Sequence, residues 1–246
     1  HPEFRDRLAE VLAALDVHLE RPLATILWGP SDGAHSQLLG QTAYTQPALF
    51  ALEVALFRQW AAWGLKPEYV AGHSVGELAA AHVAGILSLE DAAKLVCARG
   101  RLMQDCERGG AMVSLDASEA EVQETLATVA GRIAIAGLNG PRQTVVSGDE
   151  APVLALAEAF RARGCRVRRL DVSHAFHSPH MDAMLDDLAA VVAGCRFSPP
   201  RVPIVSTLTG RVDLRWKASP ALEVNLSVEG TDDRSNGPAL VLTGTN

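Results

Sequence analysis

The chain has 246 residues and a formal net charge of −7, with 48% hydrophobic and 21% charged residues, which fits a soluble globular domain carrying a small insert and argues against a nucleic-acid binder. Glu53 and Arg58 interrupt the best candidate, around ALFALEVALF, so no uncharged apolar run reaches the roughly 18 residues a membrane helix needs. The charged start HPEFRDRLAE lacks a signal-peptide core, so a cytoplasmic location is expected; with no initiating Met, a fragment of a longer chain is expected too.

Phe4, Leu8, Val11, Leu12, Leu15 and Leu19 recur at helical spacing and predict an amphipathic helix over 4–20. RPLATILWGPSDGAHSQLLGQTAY, punctuated by Gly, Pro, Ser and Asp, reads as a loop with a short helical turn. Pro47 suits the first turn of a helix that ends at Gly64. EYVAG reads as a short buried strand, followed by a serine turn and a helix over 75–84 that Gly85 stops. Ser88, with Asp91 three residues on, marks the start of the next helix. At about 100° per residue, that helix places Ala92, Leu95, Val96, Leu102 and Met103 on one arc with Arg99 in its middle. A guanidinium among apolar neighbours snorkels to water or meets an anion, because an unpaired buried charge costs on the order of 3–5 kcal/mol. Position alone leaves structural pairing and ligand binding both open.

From 111 the pattern changes. AMVSL reads as a strand, and SEAEVQETLATVAG as a helix capped by Ser118 with Glu121. RIAIAGLNG and QTVVSG read as two strands, DEAPVLALAEAFRARG as a helix and CRVRRLDV as a last strand. The order βαββαβ is that of a ferredoxin-like unit. It reads as inserted, because SPHMDAMLDDLAAVVAG then predicts a helix with Ser178 as N-cap and Pro179 at N1, and PIVSTLTG a further core strand. Arg161, Arg163, Arg166, Arg168 and Arg169 form a basic run, read as a solvated face or as a docking patch for phosphates or an acidic partner. The four cysteines show no C-x-x-C spacing and read as free thiols.

G-H-S-V-G at 72–76 fits a nucleophile elbow, with a strand before and a helix after. Such a turn exposes the Ser74 hydroxyl, and the helix start offers the Val75 N–H as an oxyanion donor. The alternative is a buried turn whose glycines serve packing alone. An alcohol nucleophile needs a base. Among the eight histidines, the cluster VSHAFHSPH supplies His174, His177 and His180 in one loop; no companion carboxylate or cysteine pattern supports a metal there.

Taken in order, TQPAL, GHSVGE, CARGRLMQ and SHAFHS resemble the acyltransferase domain of modular type I polyketide synthases, a family related to malonyl-CoA:acyl carrier protein transacylases. The resemblance covers about residues 1–212. It implies an α/β fold with an α/β-hydrolase-like core, over 1–110 and 173–213, and an inserted ferredoxin-like subdomain over 111–172; residues 214–246 form an atypical tail. It implies that Ser74 takes a malonyl group from coenzyme A as an ester, with His177 as general base and then general acid. It further implies that Arg99 grips the free carboxylate and that Gln46, Phe176 and His73 line the substrate pocket. HAFH, as opposed to YASH, goes with malonyl units, Phe176 crowding an α-methyl; one methyl is worth only about 1–3 kcal/mol of discrimination. No bound cofactor and no metal are expected, coenzyme A entering as the thioester substrate. The implied partners are malonyl-CoA, an acyl carrier protein and neighbouring ketosynthase and other synthase domains, with neither nucleic acid nor membrane.

Two departures accompany the resemblance. The family's opening strand GQGSQ, whose Gln supplies a second oxyanion donor, has no counterpart, and the sequence after LTGRVD does not resemble the family's continuation, which normally orients the catalytic histidine. The domain therefore reads as truncated at both ends. A serine esterase or thioesterase, with Asp171 as the acid, and a weakly active docking scaffold for a carrier protein are the competing readings.

Overall fold

The computed structural model describes residues 2–30, 34–206, 215–219 and 222–225. They divide into two units, His1–Arg101 with Leu188–Asn246, and Leu102–Asp187, each with its own apolar core.

The first unit opens with α1 (Pro2–Asp16), which buries Leu8, Val11, Leu12 and Leu15 as its periodicity requires. The expected loop contains two short helices, α2 (Leu23–Leu27) and α3 (Ala34–Leu39). The long helix α4 (Thr42–Ala62) begins before the expected start, so Pro47 lies inside it and not at N1. The Gln41 carbonyl opens it by accepting from the N–H groups of Tyr44 and Thr45, both at 2.9 Å. Gly64, at φ +94°, closes it, with the Leu65 N–H returning to the Trp60 carbonyl.

Strand β1 (Val70–Gly72) pairs in parallel with β6 (Ile204–Ser206), Val70 opposite Ile204. Between them in sequence come α5 (Gly76–Val83) and α6 (Leu89–Asp105). Ser88 Oγ accepts from the Asp91 N–H at 3.0 Å, capping α6 as expected. Phe50, Val54, Ala79, Ala92 and Val96 meet in the core of this unit. A Cβ on Gly100 would lie 2.9 Å from the Thr42 carbonyl oxygen. Glycine there lets α6 approach the first turn of α4. Helix α9 (Leu185–Ala193) follows a 3-10 helix (Pro179–Met184); the sequence had suggested one continuous helix. Of the expected tail 214–246, the described part is a pair of antiparallel strands, β7 (Arg215–Ser219) and β8 (Leu222–Asn225).

The second unit holds β2 (Ala111–Leu115), α7 (Glu119–Leu126), β3 (Ile133–Gly140), β4 (Gln143–Gly148), α8 (Glu150–Ala162) and β5 (Val167–Arg169). Its four strands run antiparallel in the order β3-β4-β2-β5. Val113, Leu115, Val122, Val146, Leu156 and Phe160 fill the space beneath its helices. Ser118 and Glu121 form the expected capping box on α7.

This unit is wider than the expected 111–172. Gly109 bridges to His174, and His180 bonds to Asp149, so the histidine loop belongs with this sheet. The arginine run is largely paired locally: Arg166 with Asp116 at 3.3 Å, Arg169 with Glu150 at 2.6 Å, and Arg161 with Glu158. Arg163 lies 5.1 Å from the centre of the Phe160 ring. These partners favour the solvated-face reading over a docking patch.

Candidate active site

Ser74 sits between β1 and α5 at φ +54°. That left-handed conformation costs a residue with a side chain about 1–2 kcal/mol, so the chain around it must hold it there. The flanking glycines allow it. A Cβ on Gly72 would meet the Gly76 carbonyl carbon and oxygen at 2.2 Å, backbone atoms that cannot swing away. The Gly76 N–H bonds to the His73 carbonyl at 3.0 Å and the Glu77 N–H to the Ser74 carbonyl at 3.1 Å, tightening the turn into α5. Among the described residues, no backbone carbonyl takes the Val75 N–H. It is therefore open to the oxyanion role expected of it. His73 contributes its carbonyl to this turn while its side chain is exposed.

Arg99 Nη2 donates to Ser74 Oγ at 3.1 Å, and Arg99 Nη1 donates to Gln46 Oε1. Gln46 is buried, and its Nε2 donates to Thr42 Oγ1 at 2.8 Å, which fixes which end of the amide faces the guanidinium. Burial pulls the Arg99 pKa below its ordinary value and the nearby Glu77 carboxylate partly offsets this. Glu77 in turn accepts from Ser206 Oγ at 2.9 Å. The cation thus stands beside the Ser74 hydroxyl with two neutral oxygen acceptors. A carboxylate entering here would give the guanidinium fork a charged, two-oxygen partner. The sequence singled out Ser74, Arg99 and Gln46, and the structure brings them together. It did not single out Thr42 or Ser206; the polar face of α4 opposite Arg99 is the signal that could have found Thr42.

His177 belongs to the second unit. It has φ +56°, and among the described residues it and Ser74 are the only non-glycine positions with positive φ. Ser178 Oγ donates to the Ala175 carbonyl at 2.6 Å and accepts from the His180 N–H at 3.2 Å, so the turn is braced on both sides of His177. Phe176 is partly exposed, with its ring 5.7 Å from that of His174. His174 is buried, and desolvation holds its pKa below the ordinary value, with Arg108 adding to the effect. Among the described residues, no group of three His, Cys, Asp or Glu side chains is arranged to hold a metal.

Residues 3–228 match the family model described as an acyl transferase domain. The chain belongs to that family. The match runs past residue 212, where the sequence resemblance was expected to stop. The domain is 50% identical over 212 residues to mycoketide-CoA synthase of Mycobacterium tuberculosis, covering 86% of this chain and 5% of that protein. It is 52% identical over 211 residues to the spectinabilin polyketide synthase system protein NorB of Streptomyces orinoci, covering 86% of this chain and 10% of that protein. Among solved structures it resembles the acyltransferase domain from the second module of the salinomycin polyketide synthase, with TM-score 0.77 and 47% identity over 83% of this chain and 47% of that one. It also resembles malonyl-CoA:acyl carrier protein transacylase from Xanthomonas oryzae pv. oryzae, with TM-score 0.74 and 36% identity over 83% of this chain and 65% of that one. The domain therefore spans a tenth or less of those curated relatives and under two thirds of the length of those solved structures. Among the described residues, no helix is long and apolar enough to cross a membrane.

Proposed function

We propose that this domain transfers a malonyl unit from malonyl-CoA to the phosphopantetheine thiol of an acyl carrier protein through an ester on Ser74. The observation that carries the reading is the contact of Arg99 with the Ser74 hydroxyl, a cation placed to hold an acid one acyl unit away from the nucleophile. His177 removes the Ser74 proton as the hydroxyl attacks the thioester carbonyl, and the Val75 N–H stabilises the resulting oxyanion. The tetrahedral intermediate collapses, the C–S bond breaks, and the proton on His177 passes to the departing coenzyme A sulfur. The carrier thiol then gives its proton to His177, attacks the ester and regenerates Ser74, a ping-pong route.

In this reading the fold is an α/β-hydrolase-like core with a ferredoxin-like insert, which the antiparallel βαββαβ arrangement of the second unit supports. Phe176 and His73 keep the substrate-binding roles that the family resemblance implies, and the domain works in the cytoplasm beside a ketosynthase. A hydrolase reading has less support, because Asp171, the acid it would require, is exposed. Intact-mass measurement after mixing with malonyl-CoA tests the proposal. A stable gain of one malonyl group that Ser74→Ala abolishes and His177→Ala slows is expected. Rapid release of free malonate without a carrier would instead indicate a hydrolase, and no adduct on a folded protein would indicate a scaffold.

A further inference from the structure

His180 presents an arrangement that packing alone does not account for. Its ring is buried, with Nε2 2.8 Å from Asp149 Oδ1 and Nδ1 lacking a hydrogen-bond partner among the described residues. A buried unsatisfied polar atom carries a desolvation cost that an apolar residue of similar volume would not incur. Asp149 is committed as well. It precedes α8 as N-cap residue, yet its carboxylate makes no capping bond. Instead Oδ2 accepts from the Arg132 N–H at 2.9 Å, and Oδ1 is 3.1 Å from the Arg132 guanidinium, which also reaches Glu107 at 3.2 Å. The Arg132 N–H, then His180, hold the Asp149 pKa below the ordinary carboxylate value. A hydrogen bond to this carboxylate needs a donor, so His180 Nε2 carries a proton.

This pair anchors the turn that carries His177. Upstream, His174 is bridged to Gly109, and Ala175 is fully buried against Gly110, where a Cβ would lie 2.8 Å from the Ala175 methyl and 3.2 Å from His180 Cε1. Downstream, the Ser178 hydroxyl accepts from the backbone N–H of His180, whose side chain in turn reaches Asp149. His177, at φ +56°, is held between these two fixed points. Without the downstream one, relaxation of the left-handed residue toward ordinary backbone would swing its imidazole.

We propose that His180 is a positioning residue: through Asp149 it fixes the backbone conformation, and hence the imidazole direction, of His177. The proposal rests on the reading of His177 as the general base.

The test uses the full 246-residue chain, with His180→Leu, which removes the donor, and His180→Gln, whose amide can still donate to Asp149. Three readouts are taken: the rate of Ser74 acylation at saturating malonyl-CoA, the KM, and the imidazole NMR signal of His177, assigned by His177→Asn. Misplacing a catalytic group by an ångström costs up to about 10²-fold, so His180→Leu is expected to slow acylation by roughly 10- to 100-fold. KM should stay within about twofold, the His177 signal should move, and His180→Gln should restore most of the rate. Wild-type acylation in His180→Leu, or a loss that the glutamine variant shares in full, overturns the proposal. If His180→Leu does not fold, Asp149→Ala, which removes the acceptor that His180 bonds to, takes its place: slowed acylation with a moved His177 signal supports the proposal, and wild-type acylation overturns it. If wild type itself gains no Ser74-dependent adduct, the functional reading fails separately, and an unmoved His177 signal in the variants still overturns the positioning role.

Discussion

Arg99 Nη2 donates to the Ser74 hydroxyl across 3.1 Å, so a partly buried guanidinium touches that hydroxyl directly. A guanidinium carries donors only and takes no proton at neutral pH, so it cannot serve as the base. What it offers is a socket for an anion. Replacing Arg99 with alanine should lower kcat/KM for malonyl-CoA by roughly 10²-fold, since hydrogen bonds to charged groups are worth about 1.5–3 kcal/mol each. Loading of acetyl-CoA should change little. Equal losses for the two thioesters, measured side by side, would remove Arg99 from the carboxylate role.

Gln46 tunes that socket by being neutral. Its Oε1 accepts from Arg99 while Thr42 Oγ1 accepts from its Nε2 at 2.8 Å. Gln46→Glu would set a permanent carboxylate against the guanidinium and compete with the substrate's own. Malonyl loading should fall by at least about tenfold, chiefly in KM, with the fold intact by circular dichroism. Thr42→Val would instead strip the amide of its acceptor, and a loss of about 1 kcal/mol of stability is expected in chemical denaturation.

Gly72→Ala tests the elbow. The added methyl would sit 2.2 Å from backbone atoms of Gly76, so relief requires moving the start of α5 itself. The variant should be recovered in the insoluble fraction or melt well below wild type. Gly76→Ala is the contrast: its nearest neighbour is a Glu53 carboxylate oxygen at 3.7 Å, ordinary contact, and it should fold.

The parts of this site that could be read from the sequence are those written in local pattern. GHSVG announces its turn because the glycines, the strand and the helix all lie within a few residues. Arg99 stood out because a charge on an apolar arc is an inconsistency visible by projection alone. Partners distant in sequence left no such trace: the His180–Asp149 bond joins residues 31 apart, and nothing local to either states it. The start of α4 differs from the expectation because Pro47 suits a first turn, whereas the Gln41 carbonyl opens the helix earlier. The attachment of the histidine loop to the second unit's sheet is equally silent in the sequence, since it is made by one bridge and one side-chain bond and not by a strand of its own.

Stability should fall as the solution is acidified below neutrality. Burial holds the pKa of His82 below the ordinary 6.5, against an opposing bond to the Leu87 carbonyl, and burial does the same for His174. Both imidazoles stay neutral in the folded chain where the unfolded chain would already bind protons, so the unfolding free energy rises with pH across that window. The stability is fully present above about pH 6.5 and drains as pH falls from there toward the lowered folded values. Melting temperatures at about pH 7.5 and 5.5 should differ, and His82→Gln should narrow the gap. A flat profile for wild type would show that these histidines titrate alike in both states.

Ser74 itself should trade stability for activity. At φ +54° its side chain strains the turn, whereas glycine adopts that conformation freely. Ser74→Gly and Ser74→Ala both delete the hydroxyl and both should abolish the acyl adduct. Their stabilities should diverge, because alanine keeps the Cβ that creates the strain and glycine removes it. Against this, glycine gains entropy in the unfolded chain, worth up to about 1 kcal/mol in the opposite direction. Left-handed strain of about 1–2 kcal/mol exceeds that, so the glycine variant should be the more stable of the two by a few tenths to about 1 kcal/mol. Denaturant midpoints of the two inactive proteins decide it: a more stable alanine variant would mean that the elbow carries no strain worth relieving.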